Sequence, residues 1–195
     1  ISLGLVGSEM CIRDRSRAEV DLLDRSAVFS FLEAEKPDAV ILAAAKVGGI
    51  HANSSFPVQF LSQNLQIETN VMDASHAAGV ENLLFLGSSC VYPRLSKQPI
   101  KEEYLLTGEL EKTNEAYAIS KISGLKLVQA YRQQFGRKWI SAMPTNIYGP
   151  GDNFDPESAH VLPALIKKFH QARVSGDDSV LSLIHISEPT RPRLI

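Results

Sequence analysis

Apolar and polar positions follow two different rhythms through the middle of this chain. From Asp24 to Lys36, Ala27, Val28, Phe29, Phe31, Leu32 and Ala34 recur among polar residues, which predicts a short amphipathic helix. Pro37-Asp38 stops it. The run from Ala39 to Ala45 is continuously apolar, the pattern of a strand buried on both faces of a parallel sheet. Lys46 to Ile50, with two glycines, reads as a loop. Phe56 to Ala78 is a long helical stretch closed by Gly79 as a C-cap. Asn82 to Ser89 is a second buried strand, with Ser88, Ser89 and Cys90 at its carboxyl end. Tyr92-Pro93 turns the chain into a polar, irregular segment, Arg94 to Asn114, of the kind that crosses a surface. Glu115 to Phe135 is again helical and ends at Gly136. Lys138 to Met143 is a third strand running into Pro144-Thr145-Asn146. Gly149-Pro150-Gly151 is a turn, and Val161 to Arg173 is the last helix.

Strand alternates with helix, and every connection is long enough for a crossover. The expected fold is α/β, a doubly wound parallel sheet. Such sheets place their sites at the carboxyl ends of the strands. Three segments fall there: Ala44 to Ile50, Gly87 to Cys90, and Pro144 to Ile147. No internal repeat or low-complexity tract interrupts the pattern.

The two ends read differently. Ile1 to Arg15 lacks the basic and apolar regions of a secretory signal, and Ser182 to Ile195 has no clear periodicity. Both strings resemble translated sequencing-adapter sequence, so residues 1–15 and 182–195 are expected to be artefacts and residues 16–181 a domain cut short at both ends. Gly4-Leu5-Val6-Gly7 imitates the end of a phosphate-cradling glycine loop. Only three residues precede it, too few for the strand such a loop follows, and it reads as coincidence.

The chain has 195 residues, 44% hydrophobic and 22% charged, with a formal net charge of −2. That balance suits one globular domain and offers nothing to nucleic acid or a membrane surface. No apolar run reaches the roughly 18 residues of a membrane span. Two cysteines, Cys11 and Cys90, make no disulfide framework, and a cytoplasmic setting is expected. No metal is expected.

One pair carries chemistry. Tyr117 and Lys121 are four residues apart in a helical segment, so both side chains share one face. A tyrosine with a pKa of about 10 moves protons poorly at neutral pH. A neighbouring ammonium stabilises the phenolate and is expected to lower that value, which gives an acid/base unit suited to a carbonyl or alcohol. The same spacing also arises where a tyrosine packs and a lysine is solvated.

With Ser88 at a strand end and Tyr117 and Lys121 on the next helix, the arrangement resembles the extended short-chain dehydrogenase/reductase superfamily, a Rossmann-like fold. The segments from Ala43 to Ile50, Leu84 to Pro93, Pro144 to Pro150 and Ser158 to Pro163 are similar, in that order, to GDP-L-fucose synthases. That family performs 3,5-epimerisation and 4-keto reduction of GDP-4-keto-6-deoxy-D-mannose with NADPH, and its full-length members are usually dimers. The resemblance implies that residues 16–181 hold part of an NADP-binding domain and the start of a substrate-binding region.

It also implies roles for individual residues. Tyr117 would protonate the C4 oxygen, Lys121 would lower the tyrosine pKa and hold the nicotinamide ribose, and Ser88 would hydrogen-bond the same oxygen. Cys90 would be the base and His160 the acid of epimerisation, with the thiol brought down by local positive charge. Arg17 would meet the NADP 2′-phosphate, a task that suits a guanidinium. Leu22 and Ala44 would line the adenosine end. Leu86, Gly87, Ser88 and Ser89, then Pro144, Thr145, Asn146 and Ile147, would face the ribose and nicotinamide, with His160 beside them. Lys168 would meet the GDP phosphates. Arg17 and Lys168 read equally well as solvated surface cations. Two other functions stay open: a nucleotide-sugar 4-epimerase or 4,6-dehydratase of the same superfamily, and a non-catalytic binding protein on the same fold.

Overall fold

Three strands form a parallel sheet in the order β1-β2-β3: β1 (Ala39–Leu42), β2 (Asn82–Leu86) and β3 (Lys138–Ala142). The structure is a computed structural model and describes residues 18–145, 147–155, 159 and 161–180. Register sets Val40 beside Leu83 and Leu83 beside Trp139, then Leu42 beside Phe85 and Phe85 beside Ser141. Side chains in register share a face of a sheet, so Val40, Leu42, Leu83, Phe85 and Trp139 point to one side. That side carries the core. Leu42, Leu83, Phe85 and Trp139 are all buried and pack with Val28, Leu32, Val71, Met72, Ile122, Leu125 and Val128.

Those partners come from three helices: α1 (Arg25–Glu35), α3 (Pro57–Ala77) and α4 (Glu115–Phe135). α1 packs on α3 and α3 on α4. The boundaries follow local chemistry. Asp24 accepts hydrogen bonds from the Ser26 and Ala27 amides and starts α1, as a capping carboxylate does. Pro57 occupies the first position of α3, where its missing N–H costs nothing. Gly136 ends α4 with φ +68°, a left-handed conformation that glycine adopts freely. Trp139 is fully buried, and its indole N–H donates to the Val80 carbonyl at 3.1 Å, so its burial leaves no polar atom unpaired.

Two expectations change. The loop expected over Lys46 to Ile50 is followed by a short helix, α2 (Ile50–Ser55). Asn53 holds it by donating to the Gly48 and Gly49 carbonyls at 2.8 and 3.1 Å. In addition, the sheet is not buried on both faces: Ile41 of β1 is 68% and Ile140 of β3 54% exposed. Ile41, Leu84 and Ile140 share a register row on the second face. No described helix covers that row. The fold is a Rossmann-like parallel α/β sheet with α1, α3 and α4 packed on one face.

α5 (Val161–Ser175) follows the turn at Gly149–Gly151. Of its residues Pro163 is buried. No described helix is long and apolar enough to cross a membrane.

Candidate active site

In a parallel sheet each crossover helix runs antiparallel to the strands, so the first turns of α3 and α4 lie at the strands' carboxyl edge. Tyr117 and Lys121 stand in the first two turns of α4. Asn64 and Glu68 stand one turn apart farther along α3. Between these helices the site is assembled.

Lys121 is 2% exposed. Its Nζ donates to the Leu86 carbonyl at 3.1 Å and lies 3.4 Å from the Glu68 carboxylate. It also lies 4.7 Å from the Phe85 ring centroid and 5.9 Å from that of Tyr117, both within reach of a cation–π attraction. The last carbonyl of β2 thus receives a buried ammonium, and the Tyr117 ring lies near it. Tyr117 itself meets Phe60 edge to face at 6.4 Å. One turn back from Glu68, Asn64 is fully buried. Its side-chain oxygen accepts from the Lys46 amide at 2.6 Å, and its amide group donates to the carbonyls of Lys46 and Phe60 at 3.1 and 2.7 Å. Asn64 therefore fixes the chain leaving β1 at the carboxyl edge of the sheet.

Ser88 is extended and opens a single 3₁₀ turn, Ser89–Val91. Cys90, in that turn, is hydrogen-bonded by the Ser88 side chain and lies close enough to Lys121 and Tyr117 to couple to both charges. Ser88, Cys90, Tyr117 and Lys121 are therefore brought together.

The electrostatics run against expectation. Burial first, then the charges of Cys90 and Glu68, push the Tyr117 phenol up to about 12, whereas Lys121 was expected to bring it down. The ammonium is largely compensated by Glu68, and desolvation of the phenolate dominates. Burial likewise pushes the Cys90 thiol up, although Ser88 and Lys121 pull the other way. Burial also lowers the Lys121 pKa against the opposing pull of Glu68, and Glu68 is pushed up to about 7 by its own burial.

Sequence reasoning missed Glu68 and Asn64. Phe60, Asn64 and Glu68 recur at i, i+4, i+8 on α3, and all three are buried. Polar residues inside an apolar stripe at that spacing were the available signal.

The remaining expected residues distribute as follows. Ala44 is exposed just beyond β1, Gly87 is buried just beyond β2, and Ser89 is exposed. An added Cβ at Gly87 would sit 2.6 Å from the Met143 sulfur, so a larger residue there would require the Met143 side chain to move. Pro144, Thr145 and Ile147 follow β3, the last two exposed. The carboxyl edge thus offers small, accessible backbone on all three strands and one buried cation. That donor set fits a dinucleotide, whose ribose hydroxyls and phosphates take backbone and ammonium donors. Leu22 is half-buried against the core, and its carbonyl accepts from Asn70 at 2.9 Å. Lys168 is half-buried on α5. Arg17, Asn146 and His160 lie outside the described residues, as do residues 1–15 and 182–195. Among the described residues no group of His, Cys, Asp and Glu could hold a metal ion.

Residues 6–192 match the model of the NAD dependent epimerase/dehydratase family. GDP-L-fucose synthase 1 of Arabidopsis thaliana is 58% identical over 167 residues, which is 86% of this chain and 52% of that protein. GDP-L-fucose synthase of Sinorhizobium fredii is 55% identical over 190 residues, 97% of this chain and 60% of that protein. The chain thus spans between half and two thirds of the length of these curated relatives. A crystal structure of a GDP-L-fucose synthetase from Naegleria fowleri bound to NADP superimposes with a TM-score of 0.76 at 34% identity, covering 86% of this chain and 55% of that one. The chain belongs to the NAD dependent epimerase/dehydratase family.

Proposed function

We propose that the protein acts as a GDP-L-fucose synthase, converting GDP-4-keto-6-deoxy-D-mannose to GDP-L-fucose by 3,5-epimerisation and NADPH-dependent reduction at C4. The observation that carries this reading is the single cluster of Ser88, Cys90, Tyr117 and Lys121 at the carboxyl edge of the sheet. A reductase alone needs Tyr117 and Lys121. The thiol beside them supports a second proton-handling task, and similarity to GDP-L-fucose synthases supports the same conclusion.

Bound NADPH supplies the hydride that reduces C4. The protein's residues manage the protons. Tyr117, protonated at neutral pH because its pKa is near 12, gives its phenolic proton to the C4 oxygen as that oxygen gains charge, and solvent returns a proton to the phenolate. Ser88 donates a hydrogen bond to the same oxygen. Lys121 holds the nicotinamide ribose and puts positive charge beneath the Tyr117 ring. For epimerisation, Cys90 removes the proton alpha to the ketone at C3 and then C5, and His160 delivers one to the opposite face. The buried thiol is pushed up, so substrate binding must help to form the thiolate.

Ala44, Leu86, Gly87, Ser89, Pro144, Thr145, Asn146 and Ile147 face the cofactor's ribose and nicotinamide side, with Leu22 and Arg17 toward its adenosine end and Lys168 toward the GDP phosphates. The protein works in the cytoplasm as a homodimer, with no nucleic-acid or membrane partner. The test is net consumption of NADPH by the full-length protein supplied with the keto sugar, one NADPH per GDP-L-fucose formed. Turnover of a nucleotide sugar without net NADPH consumption would mean a 4-epimerase or 4,6-dehydratase instead. Binding without turnover would mean a non-catalytic role.

A further inference from the structure

Glu68 is the buried charge that the proton chemistry above leaves unused. It is 1% exposed, and among the described residues neither carboxylate oxygen has a hydrogen-bond partner. Its nearest charge is Lys121, at 3.4 Å. A carboxylate held in a core by one ion pair is costly, and an apolar side chain of the same volume is usually no less stable. The helix facing it makes room for it. Gly124 of α4 has no side chain, and a Cβ there would sit 2.8 Å from Glu68 Oε2. Lys121 and Gly124 are three residues apart and so share one face of α4. One supplies the counter-charge and the other the space.

We propose that Glu68 is a positioning residue for Lys121: it is the fixed counter-ion that keeps the ammonium charged and aimed between the Leu86 carbonyl and the Tyr117 ring. Core packing alone does not need the charge; the gap at Gly124 admits both the Phe85 ring and the Glu68 carboxylate. The consequence for catalysis rests on the reductase reading given above; the coupling of the two charges does not. Removing the carboxylate charge takes away the partner that sustains Lys121 as a cation in a dry site. From α4 the pair faces Tyr117, and from the turn after β2 it faces Cys90. Lys46, in the chain after β1, lies over the Phe60 ring two turns before Glu68 on α3.

The test is Glu68→Gln, which keeps shape and removes charge. In the full-length protein the alkaline limb of kcat/KM for NADPH-dependent reduction is expected to move acidward by about one pH unit or more. At about pH 8, where the Glu68 carboxyl is ionised, kcat should fall about tenfold. Lost activity with an unmoved limb, in step with lost stability, would overturn the proposal and leave Glu68 a packing residue. A second readout is independent of turnover. With isotope-labelled lysine, the Lys121 side-chain resonances of this chain are followed against pH by NMR. Their midpoint is expected to fall by about one unit or more in Glu68→Gln, and an unchanged midpoint overturns the proposal. If the unsubstituted protein shows no NADPH-dependent turnover, the reductase reading fails, and the NMR titration alone decides the coupling.

Discussion

Replacing Gly124 by alanine should loosen the joint between the two helices that build the site. The added methyl would meet Phe85 Cζ at 2.4 Å, Phe85 Cε1 at 2.8 Å and Glu68 Oε2 at 2.8 Å. Phe85 is fully buried in the middle strand of the sheet, so its ring cannot swing into solvent to make room. Overpacking of this kind costs about 1–3 kcal/mol, and a rigid buried ring places the case at the upper end. Alanine returns about 1 kcal/mol through its better helix propensity. The net loss should be about 2 kcal/mol, which for a domain of this size is roughly 4–8 °C in the unfolding midpoint. The assay is thermal unfolding followed by circular dichroism at fixed concentration and pH. Gly136→Ala serves as control: nothing lies within 4 Å of its added Cβ, but its φ is +68°, so it reports backbone strain without overpacking. An unchanged or raised midpoint for Gly124→Ala would refute the claim that α4 approaches β2 and α3 through a gap that only glycine leaves.

Other perturbations separate parts of the same account. Asn64→Leu should cost about 2–4 kcal/mol, because the Lys46 amide and carbonyl lose buried partners at 2.6 and 3.1 Å and unsatisfied groups of that kind are costly. Chemical denaturation checks this, and a loss below about 0.5 kcal/mol would show the loop stands without it. The raised pKa of Glu68, from 4.5 to about 7, ties stability to pH. The folded state holds this proton more tightly than the unfolded chain. The contribution is therefore fully present below about pH 4.5 and is lost as pH rises through about 7. Stability measured from pH 4.5 to 8 should flatten in Glu68→Gln relative to the unsubstituted chain; parallel curves would contradict it.

Much of the fold was legible because its punctuation is local. Asp24, Pro57 and Gly136 mark helix ends by their own chemistry, and the observed α4 coincides with the expected span. The strands were legible as apolar runs, but the number of faces they bury was not. An apolar run reads the same whether a described helix lies over Ile41 and Ile140 or not. The Tyr117–Lys121 spacing was legible, but it took on meaning only beside Ser88 and the other motifs. The direction of the pair's electrostatics was not legible, because it depends first on burial and then on Cys90 and Glu68 from other elements. Glu68 sits among Gln66 and Thr69, residues of a solvated face, and only the tertiary packing of α3 on α4 shows that it points inward. A pKa is set by burial and neighbours in space, which sequence spacing along one helix does not supply.

The most direct test of the central claim is the fate of substrate protons in Tyr117→Phe, measured in the full-length protein with GDP-4-keto-6-deoxy-D-mannose in deuterated water. If Tyr117 serves reduction while Cys90 serves epimerisation, NADPH oxidation should fall by at least about a hundredfold. NADPH affinity and deuterium incorporation at C3 and C5 should persist. Loss of exchange together with reduction, or reduction that continues without the phenol, would contradict the account.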